Sequence, residues 1–234
     1  MSQATRIVTG LLAAPGFALP EWAQGRLHLA VWDRSQGPER PILHGPASGP
    51  EGAFRLELRP EDLPRLAAAA PGGHGSQHLA AVGWGASLNP ILAHLPWPEE
   101  WAERDWLNLG WQGQVTLVGY VEQMHLQEVG GLHLAILELV GHAAPPSYRR
   151  LPPLPLPPAG DRHGPGADRP PGGAPDQVYY LLAEVESPLA AAAQDALVSN
   201  LRVVCLAGLG AQEAYWHEVV NVPLVLEALT LVAL

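Results

Sequence analysis

The chain has 234 residues, of which 47% are hydrophobic and only 15% are charged. This length allows one large or two small domains with a real core, and the 25 glycines and 25 prolines favour short strands and turns over long helices. All 13 basic residues are Arg, and they stand against 23 acids, so the net charge of −10 weighs against nonspecific binding of nucleic acid or anionic membranes.

Cysteine usage and the N-terminus bear on the cellular compartment. Cys205 is the single cysteine, so an intrachain disulfide is impossible, which fits a reducing cytoplasm. Arg6 precedes an apolar run over residues 7–14 that reads either as a β-strand or as a short signal-peptide core, and the prolines that follow favour the strand. Because no apolar stretch reaches the roughly 18–20 residues of a spanning helix, we expect a cytoplasmic protein without membrane contact.

The first 94 residues alternate between strand patterns and turn residues. Alternating apolar and polar side chains predict β-strands, and proline followed by acidic residues predicts the start of a short helix. Strands are expected over 5–13, 26–33, 54–59 and 78–86, a loop over 14–24, and a short helix over 60–70, while residues 34–52 are rich in Gly and Pro. This order predicts a small β-sandwich domain over residues 1–94.

A family resemblance accompanies this pattern. Val8-Thr9-Gly10, Ala18-Leu19-Pro20 and the run from Leu27 to Asp33 resemble small sandwich modules of the transthyretin-like and YbaY/YscW-like kinds. Since such modules mostly scaffold or bind, the resemblance implies no catalytic role.

Residues 95–111 hold four of the eight tryptophans. Trp97 and Trp101 are four positions apart, the spacing of neighbours on a helix. One interpretation is a helical connector whose indoles pin two domains together. The other is a partner or base-stacking surface formed by Trp97, Trp101 and Trp106, although the acids between them disfavour nucleic acid.

Residues 112–234 follow a recognisable order of elements. Strands are predicted over 114–121, 132–140 and 178–185, then a helix over 188–200 with Ser187 as its N-cap and Pro188 at its first position, then strands over 201–209 and 219–234. Three strands, a helix and two strands are the order of the OB fold, a five-stranded barrel. The chain is therefore predicted to be mainly β, a sandwich followed by an OB-like barrel with one short helix.

The same half resembles bacterial single-stranded-DNA-binding proteins. Val115-Thr116-Leu117-Val118-Gly119 is similar to their first strand, Gly130-Gly131-Leu132-His133-Leu134 to their second, and the run from Leu201 to Leu209 to their fourth. The chain departs from that family at Tyr120, where the family has Arg. Residues 112–234 also contain five Arg against twelve acids, a net of −7, whereas phosphate neutralisation supplies most of the affinity for single strands.

Candidate nucleic-acid contacts follow from this resemblance. Tyr215 and Trp216 fall in the loop between the last two strands, where OB folds often contact ligands, although the favoured alternative is that Trp216 packs onto the barrel and Tyr215 caps its edge. Arg202 and a flexible arm of Tyr148, Arg149 and Arg150 could reach phosphates. That arm begins a Pro-rich stretch, residues 145–175, which predicts a mobile loop and also contains a sequence typical of polyproline ligands.

No catalytic, metal or cofactor motif occurs in the chain. His-Glu-x-x-His, Gly-x-Ser-x-Gly and Walker sequences are absent from it. The first hypothesis is therefore a non-catalytic binding protein, either a weak single-stranded-DNA binder disfavoured by charge or a partner of DNA-maintenance proteins. The alternative is a structural or protein–protein interaction module, with a protein partner or homo-oligomer and no nucleic-acid ligand.

Overall fold

The computed structural model describes residues 5–33, 43–67, 78–84, 91–129, 131–144, 177–210 and 225–234. Within these ranges the chain is mainly β, as predicted, and its strands form two hydrogen-bonded sheets. The first sheet contains β1 (Arg6–Ala13), β2 (Leu27–Asp33), β3 (Leu43–Ser48), β4 (Ala53–Leu58), β5 (His78–Trp84), β6 (Ile91–Pro96) and β7 (Trp106–Trp111). A short helix, α1 (Leu63–Ala67), follows β4, and 3₁₀ turns span Glu21–Ala23 and Glu99–Glu103.

The first sheet has the strand order β6-β5-β2-β3-β4-β1-β7. Strand β4 shows why these residues form strands, because buried Phe54, Leu56 and Leu58 alternate with exposed side chains. The sequence predicted a two-sheet sandwich here. The described strands instead make one seven-stranded sheet, which β7 joins by pairing in parallel with β1.

The Trp-rich segment is helical only in part, which corrects the predicted connector. Within this segment, Glu99–Glu103 is the helical part, and it is a 3₁₀ turn. Pro98 precedes the turn, and the backbone is already extended at Arg104. Residues Trp106–Trp111 form strand β7, whose buried Leu107 and exposed neighbours alternate as on any half-buried strand. Strand β3 lies within the Gly- and Pro-rich region 34–52, where no strand was predicted.

The second sheet is a closed five-stranded barrel. Its strands are β8 (Gln114–Val129), β9 (Leu132–Ala144), β10 (Gln177–Glu184), β11 (Arg202–Gly208) and β12 (Val225–Ala233), in the ring order β10-β12-β11-β8-β9. All pairings are antiparallel except β10 with β12, which run parallel and close the ring. Helix α2 (Pro188–Ser199) joins β10 to β11, so the predicted order of strands and helix is confirmed.

A pair of glycines lets β8 and β9 approach closely. Gly119 and Gly141 lie directly opposite each other. A Cβ on Gly119 would lie 2.1 Å from the carbonyl oxygen of Val140, and one on Gly141 would lie 2.1 Å from that of Val118. Only glycine fits such a crossing, which is typical of a tight bend in a barrel strand.

The barrel interior and the first sheet share one apolar core. Inward side chains such as Leu117, Leu137 and Leu181 are fully buried, and they belong to the same contiguous cluster as Leu12, Leu29 and their neighbours in the first sheet. Hydrogen bonds among the described residues also join the halves: the Tyr179 hydroxyl donates to the Ile91 carbonyl at 2.9 Å, Trp22 Nε1 to the Gly210 carbonyl at 2.8 Å, and Trp111 Nε1 to the Gln114 carbonyl at 2.9 Å.

Two sequence predictions concern residues outside the described ranges. The Pro-rich stretch 145–175 lies beyond the described residues, as does the loop between β11 and β12 over residues 211–224. Among the helices that are described, none is both long and apolar enough to cross a membrane.

Candidate functional site

The outer face of the barrel presents a row of four side chains across four strands. Alternation places Tyr179, Leu181 and Ala183 in the core, so Val178 and Tyr180 point to the other face of β10. In the strand register, Arg202 of β11 pairs with Tyr120 of β8, Tyr120 with Val140 of β9, and Val140 with Val178. The first three side chains are half-buried and Val178 is exposed.

A second row lies beside the first. Tyr180 pairs with Glu138, and Glu138 pairs with Gln123. The Glu138 carboxylate also lies 3.0 Å from His125 Nε2, within hydrogen-bonding distance, and this imidazole is about half exposed. Tyr180 is half-buried, so the two rows together offer two phenol rings and two valines at the surface.

Further along the same face, the side chains are buried and the surrounding charges are acidic. Ile136 and Leu182 pair with each other and are 1% and 6% exposed. Glu227 pairs with Leu182, Glu184 lies two positions beyond it, and both are exposed. The accessible part of the face therefore combines aromatic and apolar side chains with polar ones, and further carboxylates lie at its margin.

The described part of the barrel is strongly acidic. Its residues include one basic side chain, Arg202, and seven acids, a difference of −6. The acids are Glu122, Glu128, Glu138, Glu184, Glu186, Asp195 and Glu227. This balance repels a polyanion and attracts a basic ligand.

The structure tests only part of the predicted nucleic-acid site. It places Arg202 on the outer face, in the row with Tyr120. Tyr215, Trp216, Tyr148, Arg149 and Arg150 lie outside the described residues.

The three tryptophans predicted as an interaction surface lie in different environments. Trp97 and Trp101 are buried, at 1% and 6% exposure, so these two indoles do not form an exposed interaction surface. Arg6 fixes this region: its guanidinium donates to the carbonyls of Trp101 and Arg104 and lies 5.5 Å from the Trp101 ring centroid. Trp106 alone is open to solvent, with 53% of its surface exposed.

Sequence reasoning missed most of the outer-face row. Tyr120 stood out only as a departure from the family pattern, and the structure buries Tyr179 while Tyr180 lies half-buried on the outer face. The missing information was strand register, because Arg202, Tyr120, Val140 and Val178 come from four separate strands.

No metal-binding cluster of three or more His, Cys, Asp or Glu occurs in the described parts of the chain. Cys205 lies in the barrel interior, and its burial raises the pKa of the thiol to about 12, so the thiolate does not form near neutral pH.

No protein-family model matches the chain, and comparisons with curated proteins and with solved structures find no match either.

Proposed function

We propose that this chain is a non-catalytic binding protein and that its barrel, of the OB type, presents its outer face to a protein partner. The ring order and the parallel contact between β10 and β12, with α2 between the third and fourth strands, support the OB assignment. In OB folds the face of the second and third strands is a usual ligand-binding surface. Here that face is formed by β9 and β10.

The observation that carries the proposal is the chemistry of this face. Tyr120, Tyr180, Val140 and Val178 supply large apolar area, which protein interfaces favour in their centre. Glu184 and Glu227 lie at the margin, where interface charges steer and select partners. A polypeptide segment with apolar and basic side chains complements such a surface.

The proposal can be tested with a labelled peptide of alternating Arg and Leu, measured by fluorescence anisotropy. We expect the wild-type protein to bind it, and a matched peptide with Glu in place of Arg to bind far more weakly. Tyr180→Ala and Glu227→Arg should each weaken binding by about tenfold, which corresponds to ~1.4 kcal/mol.

A control variant tests whether peptide binding depends on this site or only on the net negative charge of the protein. Glu61 is an exposed glutamate between β4 and α1, so Glu61→Arg makes the same charge change outside the barrel strands. If Glu61→Arg weakens peptide binding as much as Glu227→Arg does, the peptide reports only net charge and the proposed site is wrong.

Single-stranded DNA is the second candidate ligand, and the pairing of Arg202 with Tyr120 favours it. A guanidinium beside a phenol ring can contact a phosphate while the ring stacks on a base. The charge balance opposes this hypothesis, since the described part of the barrel has a single Arg against seven acids. A role as partner of DNA-maintenance proteins is compatible with either ligand.

The two candidate ligands depend on residues at opposite ends of the face, Arg202 for DNA and Glu227 for a protein. Titration with labelled oligo-dT at low and at moderate salt should show no binding at moderate salt if the ligand is a protein. If DNA is the ligand, Arg202→Ala should abolish a steeply salt-dependent binding, whereas Glu227→Arg should strengthen it.

A further inference from the structure

The first sheet has a second candidate surface that is independent of the barrel. On β1, Ile7, Thr9 and Leu11 alternate with core residues, so they point away from the core. Register places Arg55 and Glu57 of β4 on one side of them and Trp106 of β7 on the other. We call this outer face of β4, β1 and β7 the Trp106 face.

The Trp106 face exposes apolar surface at the last strand of the sheet. Trp106 is 53% exposed and Ile7 is 40% exposed. Strand β7 ends the hydrogen-bonded order of the described sheet, beyond β1. An exposed indole and an exposed isoleucine on the same face of neighbouring strands are typical of a contact region.

The charges of this face are balanced, in contrast to those of the barrel. Arg55 and Glu57 form an exposed ion pair on the face itself. At its margin Arg6 pairs with Asp105 at 3.1 Å. Each of the two ion pairs is neutral, so neither adds net charge to a surface on which two chains of net charge −10 would meet.

The arrangement is also self-complementary. In a two-fold symmetric contact the same patch meets itself, so each residue of one copy faces a fixed residue of the other. Arg55 and Glu57 are two positions apart on one strand face, so a two-fold axis near them places Arg55 of each copy beside Glu57 of the other. The indoles then lie in the same interface.

We propose that the occupant of the Trp106 face is a second copy of this chain, in a two-fold symmetric dimer. The proposal does not depend on the ligand of the barrel, which lies on the other sheet. Dimerisation also leaves two barrel faces available, so a partner with repeated segments would bind with avidity.

The experiment is sedimentation velocity of the full chain at micromolar concentration. We expect a dimer for the wild type, and monomers for Arg55→Glu and for Glu57→Arg, since each places like charges opposite one another. An equimolar mixture of these two variants should recover the dimer, because the mixed pair restores both opposite-charge contacts.

Trp106→Ala should raise the dimer dissociation constant by about tenfold or more, as truncation of an interface tryptophan does. Val198 is 80% exposed on α2, so Val198→Ala is a matched apolar control and should leave the dimer intact. A monomeric wild type, or a charge-swapped mixture that stays monomeric while both variants are folded by circular dichroism, would overturn the proposal.

Discussion

At the scale of single residues, Arg6 makes several contacts that no sequence pattern predicted. Its guanidinium donates to the carbonyls of Trp101 at 3.0 Å and Arg104 at 2.7 Å and to the Asp105 carboxylate at 3.1 Å. We predict that Arg6→Ala lowers the free energy of unfolding by about 2 kcal/mol, because charge-assisted hydrogen bonds and two carbonyl partners are lost. Urea denaturation measures this.

Arg55 provides the contrast for Arg6. Its ion pair with Glu57 is more than half exposed at both side chains. Solvent screens such pairs, so Arg55→Ala should change stability by less than about 0.5 kcal/mol in a monomeric background such as Trp106→Ala. Equal losses for Arg6→Ala and Arg55→Ala would mean that the carbonyl contacts of Arg6 contribute nothing.

His28 gives the fold a dependence on pH. Burial, and secondarily the nearby His44, lowers the pKa of His28 below its usual 6.5. Its Nδ1 is buried and has no hydrogen-bond partner among the described residues, which also disfavours the charged form. Below pH 6.5 the unfolded chain therefore binds a proton more readily than the folded chain, so stability falls as the pH drops through 6.5.

We predict that His28→Asn flattens this decline in stability below pH 6.5. The measurement is the urea midpoint at several pH values from 7.5 downward. His133 is exposed on β9, so His133→Asn serves as the control and should keep the wild-type slope. An unchanged slope in His28→Asn would assign the acid sensitivity to other groups.

At the scale of elements, α2 shows how much the sequence could predict. Ser187 accepts a hydrogen bond from the Ala190 amide at 3.2 Å, Pro188 opens the helix, and Asn200 ends it with φ of 49°. Each residue type is favoured at its position for local reasons, namely a side-chain acceptor, a fixed φ and tolerance of the left-handed region. These boundaries were therefore predictable without tertiary information.

Strands β3 and β7 show where local sequence patterns fail to predict a strand. Strand β3 contains Gly45 and Pro46, which read as loop residues, but its pairing with β2 and β4 fixes it in the sheet. Strand β7 depends on its parallel pairing with β1, nearly 100 positions away in sequence. Such partners become visible only in three dimensions, because tertiary pairing overrides local propensity.

The candidate site was predictable only in outline. The order of strands and helix predicted a barrel, but of the predicted contact residues only Arg202 lies on its described outer face. The members of the outer-face row come from β8, β9, β10 and β11, and they meet because of register, with a bulge between Val121 and Gln123. A one-residue slip would have moved Tyr120 or Tyr180 into the core, so the sequence alone could not assign them.

The glycine pair of the barrel yields a prediction at this scale. A Cβ at Gly119 or Gly141 would overlap the backbone of the opposite strand. We expect Gly119→Ala and Gly141→Ala each to lower stability by about 2–3 kcal/mol, the range for overpacked sites. Thermal unfolding followed by circular dichroism measures the loss.

Gly208 is the matched control for the glycine pair. It also lies in a barrel strand, but a Cβ there would first meet the end of the Leu229 side chain at 3.3 Å. Since a side chain can shift where backbone cannot, Gly208→Ala should cost clearly less than Gly119→Ala. The reverse ranking would show that β8 and β9 can separate without cost.

At the scale of the whole molecule, the two sheets differ in charge but share a core. The barrel is acidic, and the Trp106 face of the first sheet is balanced. Their buried side chains nevertheless form one cluster that includes Trp97 and Trp111 from the first sheet and Val115 from the barrel. The sequence predicted two domains. A continuous core leads us to expect that both sheets unfold together.

Cooperative unfolding can be followed with one probe in each sheet. Seven of the eight tryptophans precede residue 112, so indole fluorescence reports on the first sheet. Cys205 is buried in the barrel with its pKa raised to about 12, so its alkylation reports on barrel opening. We expect the same urea midpoint from both probes, as a two-state transition requires.

Tyr179→Phe tests the coupling between the sheets directly. The Tyr179 hydroxyl belongs to the barrel and its acceptor, the Ile91 carbonyl, belongs to β6, so the substitution leaves a buried acceptor without this donor. We expect a loss of about 1–3 kcal/mol and an equal downward shift of both midpoints. Tyr180→Phe changes the same atom on the outer face and should shift neither. If Tyr179→Phe separates the two midpoints, or if they differ already in the wild type, the sheets are independent folding units as the sequence predicted.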